Sequence, residues 1–241
     1  MATKKQIDQR VADLKRYADA YYNKTPLIED PEYDALFKEL TEWDPDNAFL
    51  QQVGSTIVKG TPYTHTTPML STEKAYTTEE LQNFVNRVNK EAKEVGVTSP
   101  TFRVTPKLDG MAGKLEKNIL STRGNGRVGN VVTHVFDLGV VNKGKKNAGV
   151  GEIVMSLSYF EKNLQGIFSH PRNVVVGCVN ADTIRSEVQE ALDDDALHFM
   201  PYYKLPAWTG SGEDLVKEMT QIGIDLAQKV DYPLDGMVAE V

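Results

Sequence analysis

The chain has 241 residues, 40 % apolar and 25 % charged, which suits one large or two modest globular domains with buried cores. A single cysteine, Cys178, excludes an internal disulfide framework and a multi-cysteine zinc site. A formal net charge of −7 argues against a solitary nucleic-acid binder: affinity for DNA comes mostly from neutralising phosphates, so any grip on DNA must lie elsewhere or in a local basic patch.

The first residues run directly into polar helical sequence. Neither a signal-peptide core nor a membrane-length apolar run follows, so the expected compartment is the cytoplasm and no membrane partner is expected. Ile7, Val11, Leu14, Tyr17 and Tyr21 recur at helical spacing and predict a helix over about 5–22. A second helix follows, with Asp30 as N-cap, Pro31 in the first turn, and Tyr33, Leu36, Phe37 and Leu40 as its stripe. Asp44-Pro45-Asp46-Asn47 closes this small helical module, and residues 54–68, rich in Gly, Thr and Pro, read as a linker or extended segment. Thr77-Thr78-Glu79-Glu80 spells a capping box for a third helix, with Leu81, Phe84, Val85 and Val88 on one face. From Thr101 the texture becomes short β-type runs, at 102–106, 115–122, 150–156, 173–176 and 236–241, separated by turns and short helices. Residues 214–226 return to a helical pattern. The expected fold class is α+β: a small helical N-terminal module followed by an α+β domain built on antiparallel sheet.

Four motifs carry possible chemistry. Lys107-Leu108-Asp109-Gly110 follows a predicted strand at a turn. Its lysine is a nucleophile if its amine is kept neutral, or an ordinary surface residue if the motif is only a hairpin turn. Thr122-Arg123-Gly124-Asn125-Gly126-Arg127-Val128-Gly129 alternates glycine and arginine, and is either a phosphate-binding loop or a plain hairpin loop. Gly151-Glu152 leads into a strand, where the glutamate either binds a ribose hydroxyl from within a cleft or is simply solvated. Asp235-Gly236-Met237-Val238-Ala239-Glu240 begins with an acid that would stand near a metal or be a plain turn residue.

Taken in order, these motifs resemble those of the covalent nucleotidyltransferases: DNA ligases, RNA ligases and capping enzymes. The stretch from Tyr21 to Leu36, with Asp30-Pro31-Glu32-Tyr33-Asp34, resembles the signature of the helical domain of NAD⁺-dependent DNA ligases. His65-Thr66-Thr67-Pro68-Met69-Leu70-Ser71 resembles the stretch that opens their nucleotidyltransferase domain. Thr122 to Gly126 resembles their arginine loop, and Pro171-Arg172-Asn173 with Gly177 a further stretch.

The resemblance implies a helical domain over 1–63 that binds nicotinamide mononucleotide (NMN), and an ATP-grasp-like adenylation domain over 64–241, incomplete at its C-terminus. It implies NAD⁺ as substrate, with its NMN half held by Tyr21, Tyr22, Asp30, Tyr33 and Asp34. Ser71, Glu152 and Asp235 would serve the adenylate. Lys107 would attack the α-phosphorus, supported by Asp109 and Arg123. Mg²⁺ is expected at the phosphates, near Asp109 and especially Asp235, and His65 is expected to be structural. The AMP would then pass to nicked DNA.

The sequence departs from that pattern in places. Glu240 stands where the family carries a lysine. An anion there would cost several kcal/mol, in order of magnitude, if the position faces phosphate. Val150 replaces an arginine, Asn125 and Asn130 replace acids, and Thr105 replaces the acid two residues before the lysine. The family's next strand, OB-fold, zinc finger, helix-hairpin-helix and BRCT domains are not in this sequence. Three expectations follow: a second ligase subunit supplies the rest, as in split bacteriophage ligases acting in an infected host's cytoplasm; the chain is truncated; or it is a degenerate, non-catalytic module that binds NAD⁺ or a partner.

Overall fold

A computed structural model describes residues 2–23, 27–50, 60–180 and 183–241. Helices α1 (Lys4–Asn23) and α2 (Asp30–Trp43) form the N-terminal module. Leu14 and Leu40 are fully buried between them, with Ile7, Val11, Tyr33, Leu36, Phe37 and Phe49 packed around. Arg10 pairs with Glu39 and lays its guanidinium 4.9 Å from the centre of the Trp43 ring. Glu29, rather than Asp30, is the N-cap of α2, and it makes no side-chain capping bond.

The expected extended segment ends in a short strand, β1 (Pro62–Thr64), which pairs antiparallel with β5 (Val128–Asn130). Residues 54–59 lie outside the described ones. Thr77 and Glu80 close the capping box of α3 (Thr78–Glu94) reciprocally, as the sequence predicts.

Two sheets follow. The first has the order β10-β2-β9, from Leu234–Glu240, Phe102–Leu108 and Trp208–Gly210. Phe102 and Val104 on β2 point into a core shared with Val85 of α3 and with Leu215, Ile222 and Leu226 of α8 (Gly212–Ala227). The second sheet has the order β4-β3-β7-β8-β6. Its strands are β3 (Met111–Glu116), β4 (Ile119–Thr122), β6 (Val141–Asn142), β7 (Gly149–Met155) and β8 (Leu197–Pro201). Beside the short α4 (Val135–Leu138), it is covered by α5 (Leu157–Asn163), α6 (Pro171–Asn180) and α7 (Ser186–Asp193) over the largest apolar core.

The expected α+β class holds, with the named strands paired antiparallel except where β6 runs parallel to β8. Three expectations are corrected. The run 115–122 is a hairpin: Lys117 and Asn118 turn at φ 52° and 63°, the pair of left-handed residues that a two-residue turn needs. The run 173–176 is helix, not strand. Val174, Val175, Cys178 and Val179 are all buried in α6, and this burial overrides their β preference. Lys107 lies inside β2, not after it.

A strap joins the start of the domain to the second sheet. Lys114 is 8 % exposed and donates to the Thr67 hydroxyl at 2.8 Å, the Thr66 hydroxyl at 3.2 Å and the Glu116 carboxylate at 3.2 Å. Thr66 in turn donates its hydroxyl and amide to Glu116. Burial opposes ionisation of Glu116, but Thr66 and Lys114 outweigh it and hold the carboxyl down at about 2. A carboxyl depressed in the folded state stabilises above its unfolded value, near 4.5, and that stability is lost as pH falls toward 2. Glu116→Gln is therefore expected to lower unfolding free energy by about 1–2 kcal/mol at pH 7. In urea titrations the gap to the parent chain should narrow steadily between pH 4.5 and 3.

Candidate active site

A cleft of about 530 Å³ opens between the two sheets, within the size range of small-molecule sites. Its floor is the outer face of β2. Because side chains alternate along a strand, Arg103, Thr105 and Lys107 share this face, while Phe102 and Val104 turn to the core. Strand β10 lies opposite in an interrupted register. Leu234 faces Leu108 and Met237 faces Pro106, so Asp235 and Gly236 together oppose the single residue Lys107. This is a β-bulge, and Gly236, at φ +119°, is the residue able to make it. The bulge turns Asp235 to the cleft, where its carboxylate pairs with the Lys107 ammonium.

The next ion pair on this face falls at the far end of the same strands. Glu240, the apparent charge reversal in the sequence, faces Arg103 in register and pairs with it. Both line the cleft. Arg103 thus places a cation of β2 at this end of the cleft, already paired with Glu240.

The opposite wall comes from β7 and its neighbours. Gly110 sits so close to β7 that a Cβ would lie 2.1 Å from the Ile153 carbonyl oxygen, so only glycine fits. Asp109 donates its backbone N–H to the Pro233 carbonyl at 2.9 Å. Its carboxylate accepts from Arg172 of α6 at 3.2 Å, with His170 at 3.6 Å. Glu152 is buried, not solvated, and the Tyr202 hydroxyl donates to it. Burial pushes the Glu152 carboxyl up to about 7, against the opposing pull of the Tyr202 hydrogen bond, Arg172 and Arg123; Asp109 pushes the same way as burial.

Arg123 completes the ring from the loop after β4. Gly124 turns there at φ +55°, and His65, buried as expected, hydrogen-bonds through Nε2 to the Arg123 carbonyl at 3.2 Å. The loop is pinned again where Met69 donates its N–H to the Gly126 carbonyl at 2.8 Å.

The structure thus brings Lys107, Asp109, Arg123, Glu152 and Asp235 into one cleft. Ser71 is not among its lining residues, although Pro68, Met69, Leu70 and Thr72 are. Tyr33 belongs to the core of the helical module, stacked on Phe37 at 6.4 Å between ring centres, and no described residue of α1 or α2 lines the cleft. The side chains of Tyr21, Tyr22, Asp30 and Asp34 lie outside the described ones. Sequence reasoning missed Tyr202, Arg103 and the pairing of Arg172 with Asp109. The local sequence carries no sign of contacts spanning 50, 137 and 63 residues.

The expected metal role is not supported by the side chains. Among the described residues no three His, Cys, Asp or Glu groups cluster as metal ligands, and Asp109 and Asp235 are each engaged by a cation.

An acid whose folded value is raised favours folding less as it ionises. Stability contributed through Glu152 therefore falls as pH rises from about 4.5 to 7, by up to about 3 kcal/mol. Glu152→Gln, which keeps the shape without the charge, is expected to flatten that dependence. Urea unfolding at pH 5 and pH 8 would measure it: the parent chain should lose stability between these values, and the variant should lose much less.

Comparison with known proteins adds the following. The description "NAD-dependent DNA ligase adenylation domain" matches residues 59–205, and "DNA ligase-like, N-terminal NAD+-binding domain" matches residues 1–55. A DNA ligase of Desulfatibacillum aliphaticivorans is 46 % identical over 229 residues, which is 95 % of this chain and 36 % of the relative. DNA ligases of Desulfotalea psychrophila (37 % identical, 90 % of this chain, 33 % of the relative) and Ruthia magnifica (33 % identical, 97 % of this chain, 39 % of the relative) are also similar. The chain spans about a third of the length of these relatives.

Proposed function

The chain belongs to the NAD-dependent DNA ligase family, and we propose that its part in that chemistry is to transfer AMP from NAD⁺ to its own Lys107. The observation that carries this reading is the bulge that sets Asp235 against Lys107 inside a cleft shared with Arg123 and Glu152. The proposed domains are those expected from the sequence, 1–63 and 64–241.

In this reading the Lys107 amine attacks the α-phosphorus. A P–N bond forms, the bond from that phosphorus to the bridging oxygen breaks, and NMN leaves with that oxygen. Asp235, already paired with the amine, is the nearest acceptor for the proton lost from nitrogen. Arg123 makes no ion pair among the described residues and faces the transferring phosphate as a cation not yet spent. Arg103 provides from β2 the positive charge that Glu240 does not. Ionised Glu152 accepts from a ribose hydroxyl, with Tyr202 fixing the carboxylate. Asp109 acts through Arg172, which it orients toward the cleft. Ser71 is proposed to serve the adenylate from beside the rim.

Tyr21, Tyr22, Asp30, Tyr33 and Asp34 are proposed to hold the NMN half, a positioning role that orients the leaving group. Mg²⁺ would arrive on the nucleotide's phosphates, and no step is assigned to it. Transfer of AMP to a 5′-phosphate in nicked DNA, and sealing, would require a second ligase subunit or further C-terminal domains.

A specific observation favours a second reading, a non-catalytic NAD⁺-binding module. Arg103, Lys107 and Arg172 each already have a carboxylate partner, which leaves the cleft short of free positive charge. Intact-mass spectrometry separates the two. Incubation with NAD⁺ and Mg²⁺ is expected to add the mass of one AMP, abolished in Lys107→Ala and slowed roughly 100- to 10,000-fold in Asp235→Asn, as for loss of a proton-transfer partner. Retained NAD⁺ binding with no adduct would leave only the non-catalytic module.

A further inference from the structure

A second cavity, of about 330 Å³, is lined by Lys204 of the 3₁₀ turn Tyr202–Lys204 and shares Leu205 with the cleft described above. Three lysines line it from three separate elements. Lys143 follows β6, its amide donating to the Phe199 carbonyl at 3.0 Å; Lys204 ends the 3₁₀ turn; Lys229 lies just past α8. None of their ammonium groups makes an ion pair among the described residues. The lining has one carboxylate, Asp231, and it is already engaged. It accepts from the Ser156 hydroxyl at 2.6 Å, the Ser158 hydroxyl at 2.8 Å and the Ser158 amide at 2.9 Å.

The cavity's histidine adds no acceptor. His198 bonds through Nδ1 to the Tyr232 hydroxyl and through Nε2 to the Asp195 carbonyl, each at 2.8 Å. Burial, with Lys143 nearby, holds this imidazole below its usual value, which favours its neutral form. Asp231 remains an anion, held so by its serine partners, so the three lysines outnumber the lining's one carboxylate and leave an excess of positive charge around a concave wall in a chain of net charge −7. Lys145 and Lys146 extend it along the adjoining loop, fixed where the Lys145 amide donates to the Tyr203 hydroxyl at 3.1 Å.

We propose that Lys143, Lys204 and Lys229 form a binding site for a phosphate group, separate from the adenylation cleft. Three ammonium donors from separate elements suit the several oxygens of a tetrahedral phosphate, which lysine binds as a point charge. The phosphate belongs either to a nucleic-acid backbone or to a free nucleotide.

The test is an amide NMR titration of the full chain at constant ionic strength, with chloride exchanged for inorganic phosphate. Saturable shifts are expected at Lys143, Lys204 and Lys229. They should weaken at least tenfold in the triple lysine-to-glutamine variant, whose spectrum reports its own folding, and in part in Lys204→Gln alone. Titrations with AMP and with a nicked duplex then distinguish the two sources: shifts of the same amides by the duplex assign the backbone, and shifts by AMP alone assign the nucleotide. Self-adenylation of the variant should stay within twofold of the parent, so failure of the proposed reaction would not be confused with failure of this site. No saturable shift with any of the three probes, or equal shifts in the triple variant, would overturn the proposal.

Discussion

The register between β2 and β10 is the constraint on which the cleft depends. On β10, Met237 and Ala239 pack into the core beneath the three-stranded sheet, while Val238 and Glu240 face the cleft. Uninterrupted alternation would then turn Asp235 toward the core, away from Lys107. The extra residue at the bulge reverses the parity, so Asp235 and Glu240 reach the same face while the core residues keep theirs. One irregularity thus serves two demands: burial of Met237 and placement of a carboxylate against the lysine.

Charge in the cleft is arranged as pairs. Lys107 with Asp235, Arg103 with Glu240 and Arg172 with Asp109 satisfy one another across elements distant in sequence. Two groups stand outside this pattern. Arg123 is without an ion pair among the described residues, and Glu152 is buried with a hydroxyl partner and a proton affinity raised to about 7. A ligand bringing phosphate oxygens and ribose hydroxyls offers what each of these groups lacks.

Much of this was legible in the sequence, for local reasons. The capping box at Thr77 and Glu80, the stripe of α3, and Ile7, Val11 and Leu14 of the stripe of α1 are short-range signals, and they held. Lys107, Asp109, Arg123, Glu152 and Asp235, from the four chemical motifs, line one cleft. What failed was set by tertiary context. Residues 173–176 look like strand because valine prefers it, yet α6 is buried over much of its surface and burial decides. Glu152 was legible as a motif residue, but its burial was not: it sits on β7, where Gly151 to Met155 are all buried, so no polar alternation separated the cleft reading from a solvated one. Glu240 looked like a lost cation because its partner, Arg103, is 137 residues away.

The central claim is that Lys107, set by the bulge against Asp235, is the group that takes the nucleotide. Its most direct test is to locate the modification by tandem mass spectrometry of peptides from the chain after exposure to NAD⁺. The account requires the AMP mass on the peptide containing Lys107, at that lysine. AMP on any other side chain, with Lys107 unmodified, would contradict it.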